Sequence, residues 1–406
     1  MHSSVLEQRL ERNLWVYGLM KIFTKRVFLP LVAIYLVEVG KLSVGQVAIL
    51  ATISPLVSLL AEVPTGYFAD RITRKASLFT SAFVLVLMSV ALAVYPHFWG
   101  ALLATLFESI GYAFLNGAGE ALIHDTLAAQ KRTHDYSKIV ARAQSIGLFG
   151  NMILLSTVGL TYKLNPRLPF IISIFAYLTL FGLISLLYEP MREYQEVHSN
   201  PVLDLFRNLK SFVTRRSFLF FMSVGVMTGI YFGVADFNNL IFKDLGMPTN
   251  LLGIVYAGSS LLAVGLSIGA AWLRRLPLFA YMMLDMVASL GVTLGIGLTH
   301  NLTFMIVASI INASFFRLRN IVYQHHLLDG FPLVRHKATL LSVLAFFGDL
   351  NELWVPALFG AVIVKAGYYK AYSINSAVLL LIMIPLALIA VKLFATLASN
   401  GRRQEA

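Results

Sequence analysis

Long apolar runs recur along the chain, separated by short polar breaks. A helix that crosses a bilayer needs about 20 mostly apolar residues. Twelve stretches meet that length, near 14–38, 44–67, 76–95, 98–124, 138–162, 168–188, 217–241, 251–272, 278–298, 302–327, 337–363 and 370–396. They are numbered here as spans 1 to 12. The connections are short except one: residues 189–216 are polar and mixed in charge, from Glu189 through Arg192, Glu196 and Asp204 to Arg216. This pattern predicts an all-α membrane protein with twelve transmembrane helices in two pseudo-symmetric six-helix bundles, 1–188 and 217–406, joined by the linker 189–216. Residues 202–212 fit either a surface-lying amphipathic helix, with Val202, Leu205, Phe206 and Leu209 on one side, or a disordered tether.

Composition agrees. The 406 residues are 58% hydrophobic and 13% charged, whereas soluble domains carry about 25% charged residues. There is no cysteine, which excludes disulfides, thiolate chemistry and cysteine-based metal sites. A net charge of +12 would suit nucleic acid, but the basic residues fall between apolar runs and form no continuous patch. No nucleic-acid partner is expected. The N-terminal region, with Arg9 and Arg12 among acids, lacks a small-residue cleavage site after a short apolar core, so no removable signal peptide is expected. With the N-terminus inside, Lys and Arg outnumber those of the opposite side more than threefold. The positive-inside rule then places both termini and the linker in the cytoplasm, for a multi-pass protein of the plasma (cell inner) membrane.

One stretch breaks the greasy pattern in a particular way: Glu62-Val-Pro-Thr-Gly-Tyr-Phe-Ala-Asp-Arg-Ile-Thr-Arg-Lys75, between spans 2 and 3. Gly66 is followed four residues later by Asp70, then by Arg71, Arg74 and Lys75. A topological marker would explain the cations but not Gly66 or the acid among them. The stretch resembles the loop between the second and third helices of the major facilitator superfamily, Gly-x-x-x-Asp-Arg-x-x-Arg-Lys, with Thr73 where that family has Gly. The resemblance implies that Gly66 lets another helix come close. It also implies that Asp70 caps the start of span 11, near His336, and that Arg74 reaches Asp125. Such contacts would lock one state of an alternating-access cycle. The segment Gly117-Ala-Gly-Glu-Ala-Leu-Ile-His-Asp125 is similar to the family's glycine-rich fourth helix ending in an acid. That helix usually carries an arginine, where Glu108 stands here. A branch of bacterial drug and metabolite efflux proteins is the nearest resemblance. The antiporters' Gly-Pro-x-x-Gly-Gly is matched in span 5 only by Gly147, Gly150 and Gly159. In the second half, Trp272-Leu-Arg-Arg-Leu-Pro277 echoes the arginines of the first motif without its Gly and Asp.

Ionisable residues within spans cost roughly +2.5–3.5 kcal/mol each on insertion scales and are functional candidates by default. Span 1 holds Lys21, Lys25 and Arg26. Span 4 holds Glu108, Asn116 and Glu120, within one 120° stripe at 100° per residue. Span 7 holds Asp236 and Asn239, span 10 Asn312, Arg317, Arg319 and Asn320, and span 11 Asp349, Asn351 and Glu352. The resemblance implies that spans 1, 4, 7 and 10 line a central cavity. Lys25, Arg26, Glu108, Asn116, Glu120, Asp236, Asn239, Arg317, Arg319, Asp349 and Glu352 are therefore the candidates for binding substrate or protons. The alternative is structural pairing: Arg26 with Glu108, and Arg317 or Arg319 with Asp349 or Glu352. Lys21 is expected to snorkel towards the cytoplasm, His325 and His326 to be interfacial, and Gly225, Gly229 and Gly233 to form a close-packing face.

The chain has no phosphate-binding loop, no Gly-x-Ser-x-Gly elbow and no His-Glu-x-x-His. No cofactor and no enzymatic activity are expected. The reading is a monomeric secondary transporter of a small solute. Proton coupling is expected, because a carboxylate taken out of water holds a proton more tightly. Efflux of an amphiphilic compound is the leading expectation. Import of an organic anion is the alternative within the class, and a lipid flippase or non-transporting sensor the alternative outside it.

Overall fold

The structure, a computed structural model, describes residues 2–26, 28–190, 215–330 and 337–403. The segment 202–212 and His336 lie outside the described residues, as do the surroundings of Gly233 and the side chains of Asp70, Asp236, Arg317 and Asn320. Among the described residues the chain is helical, with no strand. Eight helices are long and apolar enough to cross a membrane, and four shorter apolar helices, Leu29–Glu38, Phe218–Tyr231, Thr249–Ala263 and Leu302–Phe316, complete the set. Each of the twelve predicted spans thus has its helix.

Several spans are not single rods. Span 1 consists of His2–Phe23 and Leu29–Glu38. Pro30 stands in the first turn of the second piece, where its missing N–H costs nothing. Span 4 is Phe98–Leu115 and Ala118–Ala129. Gly117, with φ of 75°, supplies the positive φ that the break requires. Span 11 is Lys337–Glu352 and Val355–Ala366, with Pro356 opening the second piece. Span 9 runs from Leu278 to Thr299 through a π-helical turn at Val287–Gly291.

The others are continuous: span 3 Arg74–Val94, span 5 Tyr136–Leu164, span 6 Leu168–Ser185, span 7 Arg215–Asp244, span 8 Thr249–Leu273, span 10 Leu302–Gly330 and span 12 Tyr368–Arg403. Span 2, Val44–Arg71, is longer than its apolar run. Most of the charge-dense stretch 62–75 is therefore helix, and only Ile72 and Thr73 connect it to span 3.

The chain divides into two compact units. The first comprises 1–42, 56–201 and 249–253, the second 43–55, 202–248 and 254–406. The start of span 2 thus belongs with the second unit and the start of span 8 with the first. Glycines permit both placements. Gly360 of span 11 lies against Ala48 of span 2, and Gly253 of span 8 against the Leu155 carbonyl of span 5.

Large apolar side chains point outward, Leu164 at 81% and Leu381 at 75% exposure, while small polar ones are buried. Ser77, Ser81 and Ser109 lie inside the first unit at 1% exposure or less. Ser77 Oγ donates to the Phe114 carbonyl at 2.8 Å. Lipid tails are as apolar as leucine, so helices associate through small residues and hydrogen bonds rather than by hiding grease. In the second unit a Cβ on Gly229 would lie 2.6 Å from the Asn351 carbonyl, and Gly225 meets Phe347 in the same way. Spans 7 and 11 pack backbone to backbone there, as the glycine spacing predicted.

Candidate functional site

The motif between spans 2 and 3 organises the end of the first unit. Thr73, extended, caps span 3, and its side chain accepts from the Ala76 N–H at 2.9 Å. Arg74 Nε meets Asp125 Oδ2 at 3.1 Å, the pairing the resemblance implied. The backbone N–H groups of Arg74 and Lys75 donate to the two Glu189 oxygens at 2.7 and 3.1 Å. A carboxylate over a helix N-terminus satisfies orphan donors and meets the positive end of the dipole. Lys75 Nζ donates to the carbonyls of Ser185 and Leu187, at 2.9 and 2.5 Å, at the end of span 6. Arg71 lies over the Tyr67 ring, 4.9 Å from its centre.

Among the described residues nothing lies within 4 Å of a Cβ built on Gly66. Glu189, which the sequence reading placed at the head of the linker, caps span 3; the Asp70 side chain lies outside the described residues. Asn13, fully buried, completes the cluster. Its Nδ2 donates to Thr126 and to the Tyr188 carbonyl, and its Oδ1 accepts from the Tyr188 N–H.

Two ion pairs join spans 1 and 4. Lys21 Nζ lies 2.8 Å from Glu120 Oε1, which also accepts from Tyr17 OH at 3.2 Å. Lys21 is thus held in place by Glu120 and Tyr17, which corrects its expected snorkelling. Lys25 and Arg26 stand in the break of span 1. Arg26 Nε lies 3.1 Å from Glu108 Oε1, and its guanidinium covers the Tyr112 ring at 4.0 Å. The Arg26 and Glu108 side chains are 38% and 19% exposed. Glu108 Oε1 has no aligned hydrogen bond, so the contact is ionic only. Tyr112 OH reaches the Thr24 carbonyl at 3.3 Å and Tyr177 OH at 3.2 Å. Asn116 ends the first helix of span 4 and is exposed. The break at Gly117 means that Glu108, Asn116 and Glu120 do not share one continuous helical stripe.

The second unit holds a fully buried pair. Arg319 donates to Asp285 Oδ1 from Nε at 3.0 Å and from a terminal nitrogen at 2.8 Å. It also donates to Ser289 Oγ and to the Met227 carbonyl, each at 2.7 Å. Tyr323 OH donates to Asp285 Oδ2 at 3.1 Å. Asp285 lies in the last turn of the first α-helical piece of span 9, Leu278–Met286, and Ser289 lies in the π-helical turn that follows. The expected partner of Arg319 was Asp349 or Glu352; Asp285 replaces them. Asp285 was missed because span 9 is not a cavity-lining helix by the resemblance. An acid inside the apolar run 278–298 was the available signal.

Asn239 is buried and accepts from Tyr256 OH at 2.9 Å. Asp349 and Glu352 are half-buried beside the break of span 11. Asn351, between them and fully buried, donates to the Phe347 carbonyl and accepts from Trp354 Nε1 at 2.8 Å. The side chains of Asp236 and Arg317 lie outside the described residues.

Eight helices long and apolar enough to cross a membrane, with four shorter apolar ones among the described residues, mark a multi-pass membrane protein. The Major Facilitator Superfamily model matches residues 14–350, and the chain belongs to that superfamily. It is 22% identical over 380 residues to the uncharacterised MFS-type transporter YxaM of Bacillus subtilis (strain 168), covering 90% of this chain and 92% of the relative. Among solved structures it resembles the nucleoside transporter NupG, with a TM-score of 0.75, 14% identity and coverage of 96% and 99% of the two chains. A bacterial homologue of the human lysosomal transporter Spinster, in an inward-facing and unoccupied conformation, gives a TM-score of 0.65, 16% identity and coverage of 97% of each chain. At these identities the likeness carries the fold alone.

Proposed function

We propose that this transporter is a proton-coupled exporter of a small amphiphilic compound. It works by alternating access as a monomer in the plasma membrane, with both termini and the linker 189–216 in the cytoplasm. The observation that carries the coupling is the Arg26–Glu108 contact. It lies at a helix break, is partly open to solvent, and lacks an aligned hydrogen bond at Glu108 Oε1. A coupling acid has to lose its partner and meet water once per cycle, and this pair has the looseness to do so. Glu108 would take up a proton as Arg26 withdraws towards Tyr112, and release it when the pair reforms.

The alternative of an organic-anion importer rested on Lys25, Arg26, Arg317 and Arg319. Arg26 and Arg319 are each matched by a carboxylate, which weakens it. Purified protein in proteoliposomes, offered amphiphilic dyes with and without an imposed pH gradient, tests the proposal. Gradient-driven accumulation that collapses on adding a protonophore supports it. Movement indifferent to the gradient removes the coupling, and gradient-driven movement of organic anions alone replaces the substrate class.

A further inference from the structure

We propose that a groove between the first half of span 1 and the start of span 5 binds the headgroup of an anionic phospholipid from the surrounding bilayer, a role separate from the transport reading above. The groove is a cavity of about 250 Å³ wholly within the first unit. Deeper in, glycines close the two helices on each other. A Cβ on Gly147 would lie 2.8 Å from the Lys21 carbonyl, and one on Gly150 2.7 Å from Ile22. Towards the helix ends the pair flares open between Trp15, Gly18 and Ile146 on one hand and Arg132, Lys138 and Arg142 on the other.

The charges at its mouth do not balance. Arg132 satisfies both lining acids, Glu11 at 2.5 Å and Asp135 at 3.1 Å. Among the described residues no carboxylate pairs with Lys138 or Arg142. Arg142 instead covers the Trp15 ring at 5.1 Å. Both cations stand in the first two turns of span 5, which has no acid in its first turn and no side-chain cap, because Asp135 is turned to Arg132. Cations at a helix N-terminus oppose its dipole. The dipole and the two cations therefore both call for an anion.

The surroundings identify that anion as a lipid. Trp15 is 62% exposed, and Leu19 continues its face of span 1. Below Arg142, Phe149, Ile153 and Leu160 form an exposed apolar stripe on span 5, Phe149 at 64%. A phosphate at Lys138 and Arg142 would place acyl chains along that stripe, with Trp15 at the headgroup level that tryptophan favours. Free inorganic phosphate would have no use for the stripe.

Native mass spectrometry of the detergent-purified protein, titrated with phosphatidylglycerol or phosphatidylcholine, tests this. Phosphatidylglycerol should be retained preferentially, and Lys138→Gln with Arg142→Gln should reduce that preference by about fivefold per cation removed. Equal retention of the two lipids, or an unchanged preference in the double variant, overturns the proposal. So does displacement of the lipid by millimolar inorganic phosphate. A second measurement needs no substitution in the groove. With Trp99, Trp272 and Trp354 replaced by Phe, Trp15 emission should be quenched at a lower mole fraction of brominated phosphatidylglycerol than of the brominated phosphatidylcholine. Equal quenching by the two contradicts it.

Discussion

The pairs Arg26–Glu108 and Arg319–Asp285 are both arginine–carboxylate contacts inside membrane-length helices, yet they are built differently. Arg319–Asp285 is 0% exposed on both sides, and the guanidinium makes four hydrogen bonds, two of them to Asp285. Arg26–Glu108 is partly open, has one close contact, and leans on an aromatic face. An acid inside a span is not therefore a coupling acid merely because it is there. A pair saturated by neighbours from spans 7, 9 and 10 is costly to open and ties those helices together. A pair left short of partners at a helix break can be remade at each turnover.

The largest effect should come from breaking the saturated pair. Removing one partner leaves an uncompensated buried charge, which costs about 3–5 kcal/mol. Asp285→Asn or Arg319→Met should each strongly lower the unfolding midpoint in detergent. Asp285→Leu combined with Arg319→Met should recover most of it, since an apolar replacement of a buried pair is often neutral. Single variants as stable as the parent would remove Arg319–Asp285 from the account of how the second unit holds together.

A smaller effect is expected in the first unit, where the capping is partly exposed. Glu189→Gln keeps an acceptor but removes the charge over the start of span 3. Losing a cap costs about 0.5–2 kcal/mol, and losing only its charge should fall in the lower half of that range. Thermal unfolding measures it, with Thr73→Ala as the reference for a plain cap. A Glu189→Gln loss as large as that of Asp285→Asn would mean that the two units do not differ in the way proposed.

What was legible in the sequence follows the physics of length. Twenty apolar residues can hardly be anything but a span, so all twelve helices and the all-α class could be read from the pattern. The pairing of Arg74 with Asp125 came from a motif whose spacing the chain preserves. The breaks were not legible, because Pro30, Gly117 and Pro356 are ordinary residues within apolar runs, and only backbone geometry shows that the helix stops there. Glu189 looked like the first residue of a polar linker, since nothing local marks a side chain that reaches back more than a hundred positions to Arg74. Asp285 lay on a span that the resemblance left out of the cavity. Partner choice between charges at similar depth, as for Arg319, depends on which helices are neighbours, and one-dimensional pattern does not carry that.

The most direct test of the proposed coupling compares two transport modes in one variant. Glu108→Gln keeps the shape of the side chain and removes its titration. In proteoliposomes it should abolish accumulation driven by a pH gradient while leaving exchange at equal substrate concentrations within about threefold of the parent, a difference of under 1 kcal/mol. The account is contradicted if gradient-driven accumulation survives in Glu108→Gln. Survival there with loss in Asp236→Asn moves the coupling to span 7. Survival in both single variants and in the double variant leaves the Arg26–Glu108 contact a structural pair like Arg319–Asp285.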